Sequence, residues 1–267
     1  MSSDKPPLGS AIRAALLARE SREKVRAARQ VARDWRLGRL AFSFPESMPD
    51  RPAWPDGLEL LPPTQMPRRG RGGSLRAQIA SWHALAHIEF VAIDLALDMA
   101  GRFGAQEGQE FVSDFLGIAA EEAMHFALLD RKLAQLGSHY GALPVHDGLW
   151  QAAFDTSNDV AARLAVVPMV LEARGLDVTP AMIERLRFIG DESGAQILSR
   201  ILDDEVRHVG IGVKHFDRVS LVRDERPEEF WQNLVRKYFS GRVKPPFNDS
   251  ARQAAGLPRD YYAGIAS

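Results

Sequence analysis

The sequence predicts an all-α protein: a four-helix bundle with one long crossover, extended by an N-terminal helix, a proline-rich strap and short C-terminal helices. Three observations support this fold. Apolar residues recur at helical spacing in four long segments. A Glu-x-x-His motif occurs twice, and each copy follows another glutamate by 33 residues. The second and third long segments are separated by an irregular link, which is typical of bundles with a crossover connection.

Composition narrows the possible functions. The 267 residues are enough to bury a sizeable core, and a net charge of −1 indicates no global field that would attract nucleic acid or a membrane. The absence of cysteine excludes disulfides, thiolate zinc sites and a rubredoxin-like iron centre. No secretory signal and no apolar run of about 18 residues is present, so we expect a cytoplasmic protein without membrane contact.

The first 74 residues predict a basic helix followed by an extended strap. Residues 10–40 have a helical apolar stripe with Ser10 as the N-cap, and residues 1–40 carry ten Lys and Arg against four Asp and Glu. Seven prolines between residues 42 and 74 forbid a regular helix there. Two interpretations of the basic helix stay open, a solvated face or a contact with phosphate groups such as those of RNA. The strap ends in three further basic residues, Arg68, Arg69 and Arg71.

The four long helices follow the strap. After the second of them, Pro144 and two glycines mark the link at 138–148, and Thr179–Pro180 predicts the start of a short helix that fades near Gly190. We therefore expect a distorted helix at 175–180. The predicted long helices span 74–103, with a turn at Gly101, Gly104 and Gly108, then 109–136, 150–174 and 193–219. The predicted organisation is 1–72 for the helix and strap, 73–222 for the bundle and 223–267 for a C-terminal extension.

The repeated glutamates and histidines predict a two-metal centre. Residues three apart on a helix lie about 60° apart on one face, so a Glu-x-x-His pair can reach one ion. Four carboxylates balance two divalent cations, and oxygen and imidazole ligands suit iron or manganese. We expect two iron ions, with manganese or a mixed pair as alternatives. The predicted ligands, which would also be the catalytic residues through the metals, are Glu89, Glu122, His125, Glu172, Glu205 and His208.

Acidic residues beside two of these ligands leave an ambiguity. Glu121 precedes Glu122 and Asp204 precedes Glu205, so either neighbour could approach the histidine. The repeated register favours Glu122 and Glu205. Glu121 and Asp204 are then expected to accept the N–H groups of histidines on facing helices, and Arg207 could steady one of these carboxylates.

The remaining histidines predict structural roles more than chemical ones. His83 and His87 are expected to be packed or hydrogen-bonded on the outer side of their helix, with a second metal site as the alternative. His139 and His146 lie in the irregular link and are expected to serve loop structure. His215 lies two turns beyond His208 and is expected in the core or next to the ligands.

Several stretches resemble the bacterial ferritin-like proteins grouped as domain of unknown function 455. They are HALAHIEF at 83–90, EEAMHF at 121–126, LGSHYG at 136–141, HDGLW at 146–150, LEARGLDVTP at 171–180 and DDEVRHV at 203–209. The resemblance covers roughly residues 10–220, and its ligand pattern falls on the same six residues. The DEVRH run at 204–208 also resembles bacterial di-iron monooxygenases, which implies supporting roles for Asp204 and Arg207. A more distant similarity is to the di-iron hydroxylase of modified tRNA.

The resulting expectation is an oxygen-activating di-iron oxidoreductase, a hydroxylase or monooxygenase of an organic substrate. Without cysteine for a built-in redox centre, electrons would come from a separate reductase, and we expect a monomer or homodimer. Two alternatives stay open: an iron-handling ferroxidase that assembles into a cage, and a peroxide-removing enzyme with manganese or iron, as in manganese catalases and rubrerythrins. A purely structural helical bundle is the last alternative.

Overall fold

The computed structural model describes residues 5–66 and 74–266, and these form two helical units, residues 1–150 and residues 151–267. Among the described residues no β-strand is formed, and only two isolated bridges occur, Pro7 with Ala41 and Leu60 with Val145. The predicted all-α fold is therefore confirmed. None of the described helices combines the length and the apolar character that a membrane span needs. The predicted division at residues 72 and 222 stays a prediction.

The first unit is built on an antiparallel helix pair. Ser74 begins the first helix of the pair by accepting a hydrogen bond from the amide of Ala77, and Gly108 joins the two helices in a conformation with φ of 96°. Two N-terminal helices cover this pair, one against each of its members. The helices of this unit are α1 (Leu8–Leu16), α2 (Ser21–Arg36), α3 (Leu75–Glu107) and α4 (Gln109–Gln135).

The prediction of one N-terminal helix capped by Ser10 is wrong. Ser10 lies inside α1 and donates its hydroxyl hydrogen to Glu46, and the chain turns between α1 and α2. The physical reason is that the two segments bury side chains in different places, since α1 packs on α3 whereas α2 packs on α4. The turn is held by Lys24, whose ammonium donates to the carbonyl of Leu16 at 3.0 Å.

The predicted turn at Gly101 and Gly104 is also wrong, because α3 continues to Glu107. Both glycines are helical and serve close packing. A Cβ atom on Gly104 would lie 2.5 Å from Cγ2 of Val112 on α4, and one on Gly101 would lie 3.0 Å from Cγ2 of Ile12. The small residues thus allow neighbouring segments to approach the helix, while the turn falls at Gly108 alone.

The proline-rich strap is confirmed over residues 42–66, which are irregular except for a 3₁₀ turn at Pro63–Gln65. Within the strap Met48 is buried, and Trp54 donates from its indole nitrogen to Asp94 of α3 at 2.9 Å. Trp150 donates to the carbonyl of Asp50 at 3.0 Å and so ties the end of this unit to the strap. The arginines predicted to close the strap, Arg68, Arg69 and Arg71, lie outside the described residues.

The second unit contains another antiparallel helix pair. Gly190, with φ of 80°, connects the two helices, and the carboxylate of Asp191 accepts from the amide of Gly194 to begin the second. The predicted short C-terminal helices are confirmed. The helices are α5 (Gly148–Asp155, which begins at the end of the first unit), α6 (Val160–Val166), α7 (Ala173–Phe188), α8 (Glu192–Val222), α9 (Pro227–Tyr238), α10 (Asp249–Ala254) and α11 (Arg259–Tyr262).

The predicted helix over 150–174 is interrupted, and its distortion lies earlier than expected. A π-helical turn, Val167–Glu172, joins α6 to α7, whereas the segment 175–180 is regular and Thr179–Pro180 begins no new helix. Pro168 has no N–H group and cannot make the usual i to i−4 bond, which favours a wider turn at that point. Pro180 is tolerated inside α7, where Leu176 and Ile183 are buried and the helix packs along α8.

Two glycines of α8 allow a matched test of how closely the π-helical turn packs against this helix. A Cβ atom on Gly212 would lie 2.6 Å from Cγ of the rigid Pro168 ring, while one on Gly210 would have only ordinary contacts with Ala255 from 3.5 Å. We expect Gly212→Ala to lower the free energy of unfolding by about 1–3 kcal/mol through overpacking. Gly210→Ala should leave it unchanged or raise it by up to about 1 kcal/mol. Urea unfolding of both variants measures this, and equal effects would contradict the tight Pro168 contact.

Candidate metal centre

Three of the predicted ligands meet inside the first unit. Glu89 projects from α3, and Glu122 and His125 project from α4 one turn apart. Nδ1 of His125 lies 3.2 Å from a carboxylate oxygen of Glu122 and 3.3 Å from one of Glu89. All three side chains are buried, with His125 fully so. One ligand atom from each lies within 4.8 Å of the others, close enough for a shared ion.

In this cluster the carboxylates of Glu89 and Glu122 lie close together and are buried away from water. Burial, and then the charge of Glu122, raise the pKa of Glu89 well above its usual value. Burial alone would lower the pKa of His125, but its bonds to Glu122 and Glu89 outweigh burial and raise the pKa to about 11. Without a metal, a proton on His125 therefore offsets part of the negative charge. A divalent cation can take over that role, with neutral imidazole as its ligand.

The second unit holds the other predicted trio. His208 is fully buried on α8, and its Nδ1 lies 3.5 Å from a carboxylate oxygen of Glu205, one turn earlier. This repeats the arrangement of Glu122 and His125. Glu172 is half-buried and is the last residue of the π-helical turn, which packs against α8. The repeated sequence pattern thus corresponds to a repeated local structure, a Glu-x-x-His pair on one long helix of each unit.

Residues outside the Glu-x-x-His motifs hold the π-helical turn that ends at Glu172. The Pro168 ring sits against Gly212 on α8, which sets the depth of the π-helical turn. On the following turn of α7, Asp177 is buried and receives two hydrogen bonds from Arg252 of the C-terminal extension, at 2.8 and 2.7 Å. No sequence signal connects Asp177 to Arg252, since 75 residues separate them.

The acidic neighbours of the ligands lie less deeply. Glu121 is half-buried and borders a cleft between α2 and α4, while the adjacent Glu122 is almost fully buried. Asp204 receives a hydrogen bond from the half-exposed Arg207 at 2.9 Å, as the sequence predicts for this arginine. The expected bonds from Glu121 and Asp204 to histidines on facing helices stay predictions.

His83 and His87 are hydrogen-bonded, as predicted, but they are buried under the link between α4 and α5. Nε2 of His83 accepts from the amide of Gly141 at 2.9 Å. His87 lies 3.0 Å from the carbonyl of His146 and 2.9 Å from the hydroxyl of Tyr140. Since a carbonyl can only accept, Nε2 of His87 carries the hydrogen, and Nδ1 accepts from Tyr140.

The other histidines also match structural roles. Nδ1 of His146 accepts a hydrogen bond from the amide of Gly148 at 3.2 Å, which shapes the link before α5. His139 is exposed in the same link. His215 is buried in α8. The predicted structural role is thus confirmed for His146, and none of these three belongs to the buried metal-ligand group found among the described residues.

The two buried histidines make stability dependent on pH. Burial lowers the pKa of both His83 and His87 to about 4, below the ordinary value of 6.5. The unfolded chain therefore takes up protons first as the pH falls, so stability is lost between pH 6.5 and pH 4. The expected loss is about 2–3 kcal/mol for each histidine. Urea unfolding at several pH values should show a shallower decline for His87→Gln, whereas the exposed His139→Gln should match the wild type. Equal slopes would contradict neutral burial.

The buried acids and histidine suit a hard or borderline divalent cation. Glu89, Glu122 and His125 form a buried group in the first unit that could hold a metal ion. Carboxylate oxygen and imidazole nitrogen are ligands for iron, manganese and zinc, and the chain has no thiolate that would favour softer metals. Burial and the charge of Glu122 both raise the pKa of Glu89, and a bound cation would favour its charged form.

Comparisons with known proteins place the chain in a family. The family model described as "Protein of unknown function (DUF455)" matches residues 17–263. An uncharacterized protein from Haemophilus influenzae is 40% identical over 222 residues, which cover 80% of this chain and 77% of the relative. No solved structure matches the chain. The family match includes both Glu-x-x-His pairs and both upstream glutamates, and the chain belongs to this family of proteins of unknown function, DUF455.

Proposed function

We propose that this protein is a di-iron carboxylate oxidoreductase of the ferritin-like kind, which activates O₂ to hydroxylate an organic substrate. The observation that supports it best is the buried trio Glu89, Glu122 and His125, which is repeated in pattern by Glu172, Glu205 and His208. Ferritin-like di-metal proteins use one glutamate from each of two helices and Glu-x-x-His from each of two others.

The six predicted ligands would hold the two metal ions in two ways. Glu89 and Glu172 would each supply a carboxylate, while Glu122 with His125 and Glu205 with His208 would each hold an ion from two positions on a helix. When bound, the iron pair would supply the redox chemistry with O₂. The chain's own contribution is to keep these groups in place and away from water. His125 is fully buried, and Phe90 and Phe126, which follow Glu89 and His125 in the sequence, are buried with their ring centroids 5.3 Å apart. A separate reductase would supply electrons.

The direct test is metal binding followed by oxygen consumption. We expect equilibrium dialysis with Fe(II) under argon to give two ions per chain, and addition of O₂ to consume oxygen and produce an absorption band of an oxidised iron pair. Fewer than one ion per chain, or bound Fe(II) that does not react with O₂, would overturn the proposal. Manganese recovered from the native host, together with rapid peroxide consumption, would favour the peroxide-removing alternative.

The mass of the protein in solution distinguishes the iron-storage alternative from the hydroxylase proposal. A ferroxidase that stores iron needs a cage of many subunits, whereas the hydroxylase proposal predicts a monomer or homodimer. Light scattering with and without Fe(II) therefore distinguishes the two. A large closed assembly that accumulates many iron ions per chain would replace the hydroxylase proposal with iron storage.

A further inference from the structure

A large cleft crosses the first unit on the outer side of α4. It has a volume of about 1300 Å³ and is lined by α2, by the segment 38–42 and by residues of α4 from Gln109 to Met124. Pockets for small molecules usually measure about 300–1,000 Å³. We call this feature the α2–α4 cleft. Its size suits a ligand that is longer than a single small molecule.

Positive charge is concentrated along one wall of the α2–α4 cleft. Arg26, Arg29, Arg33 and Arg36 line it at the spacing of one helix face, and all four are exposed. At 1.5 Å per residue the row is about 15 Å long. None of the four forms a salt bridge with any residue in the part of the chain that the structure describes.

This charge is local to the α2–α4 cleft. Residues 1–150 contain 18 Lys and Arg and 18 Asp and Glu, so the first unit carries no net charge apart from histidine. Lys5 adds a further cation to the lining of the cleft, and Glu121 is the single acid among its described lining residues. A basic groove in a neutral unit favours a ligand with a row of negative charges over general attraction to acidic surfaces.

Aromatic rings lie beside the arginines. Trp35 and Phe42 line the α2–α4 cleft with their ring centroids 6.1 Å apart, and Phe42 is 37% exposed. The indole of Trp35 is fixed by a hydrogen bond of 2.9 Å to Ser113. Gly117 of α4 also lines the cleft, and it leaves an open floor because it has no side chain and a Cβ atom there would meet nothing within 4 Å. Planar groups can therefore stack on the rings above an open floor.

We propose that the α2–α4 cleft binds single-stranded nucleic acid. Its arginine row would contact successive phosphates, and Trp35 and Phe42 would stack on bases. Proteins that bind single strands combine a positively charged groove with aromatic platforms in this way. An acidic peptide would use the arginines but not the exposed rings, and a mononucleotide would use only part of the 15 Å row.

Fluorescence anisotropy with a 5′-labelled ten-nucleotide uridine RNA tests the proposal. We expect the double variant Arg29→Gln/Arg33→Gln to weaken binding at least tenfold. It should also reduce the slope of log K against log salt by about 1.4, because each phosphate contact to a single strand contributes about 0.7. Arg131→Gln removes one positive charge from an exposed position on α4 outside the cleft, and this control should change affinity less than twofold.

Gly117→Leu tests whether the ligand enters the α2–α4 cleft. The leucine fills the open floor without removing charge, and it should raise helix stability. We expect affinity to fall at least fivefold while the salt slope stays the same. Unchanged affinity would overturn the proposal, because binding would then rest on surface charge alone.

Competition experiments with unlabelled ligands identify the class of ligand that the cleft binds. Unlabelled ten-nucleotide RNA should displace the probe, while uridine monophosphate and a ten-base-pair duplex should need at least tenfold higher concentrations. Equal competition by either one would overturn single-strand recognition. These measurements use protein without added iron. A negative result would therefore leave the proposed metal chemistry unaffected, and a negative result in the metal experiments would leave the proposed RNA binding unaffected.

Discussion

Glu122→Gln should abolish most metal binding. Glutamine keeps the size of the side chain but cannot supply an anionic ligand. Loss of a group that only supports a ligand typically costs about 10–100-fold in metal affinity, so loss of the ligand itself should exceed about 100-fold. In the metal-free protein, burial and the charge of Glu122 raise the pKa of Glu89. Removing that charge relieves this repulsion but also takes a bonding partner from the protonated His125, so urea unfolding is needed to show that the variant still folds.

The measurement is anaerobic equilibrium dialysis with Fe(II), together with urea unfolding in the presence of a chelator. Glu110→Gln, at an exposed position in the first turn of the same helix, is the matched control and should bind metal normally. Glu121→Gln addresses the ambiguity of the adjacent acids. If Glu121→Gln removes metal binding and Glu122→Gln does not, the assignment of the ligand is wrong.

Lys24→Met should destabilise the first unit by about 3–5 kcal/mol, the cost of breaking a fully buried ion pair from one side. The ammonium of Lys24 lies 2.5 Å from a carboxylate oxygen of Asp94, and both side chains are fully buried. Asp94 also accepts from Trp54, and Lys24 lies over the ring of Phe90 at 5.5 Å. Burial raises the pKa of Asp94 to about 6, against the opposing effect of Lys24.

The double variant Lys24→Met/Asp94→Leu is the matched control for this pair. Replacing both charges with apolar groups of similar size should restore most of the lost stability, since neither charge is then left unpaired in the core. The cost of Lys24→Met alone should also be smaller at pH 5 than at pH 8. Asp94 takes up a proton more readily at the lower pH, once its cation is gone. Urea unfolding at both pH values measures these differences, and a cost below about 1 kcal/mol at pH 8 would contradict the role of the pair.

Local patterns predicted the long helices well. The predicted helices at 109–136 and 193–219 correspond to α4 and α8, because both have apolar residues at helical spacing and glycines, Gly108 and Gly190, just before they begin. Such signals depend on residues that lie three or four apart on one helix, so they can be identified in the sequence alone.

The errors arose where distant segments meet. Gly101 and Gly104 were interpreted as a turn, but they are small because neighbouring segments approach α3 closely there. The distortion expected at 175–180 falls at Val167–Glu172, where Pro168 contacts Gly212 of α8. The sequence alone does not show whether a glycine or proline ends a helix or allows another segment of the chain to pack closely. The packing of that segment decides between the two.

For the candidate site, the sequence by itself predicted which residues would hold a metal. The two Glu-x-x-His pairs and their upstream glutamates are short-range patterns on single helices, and helical geometry alone turns each pair toward one point. The tertiary structure decided the environment. It placed Glu122 in the core and Glu121 beside a cleft, paired Lys24 with Asp94 across 70 residues, and set the arginines of α2 beside Trp35 and the open floor at Gly117. Burial and charge pairing depend on which segments pack together, and local periodicity contains no information about that choice.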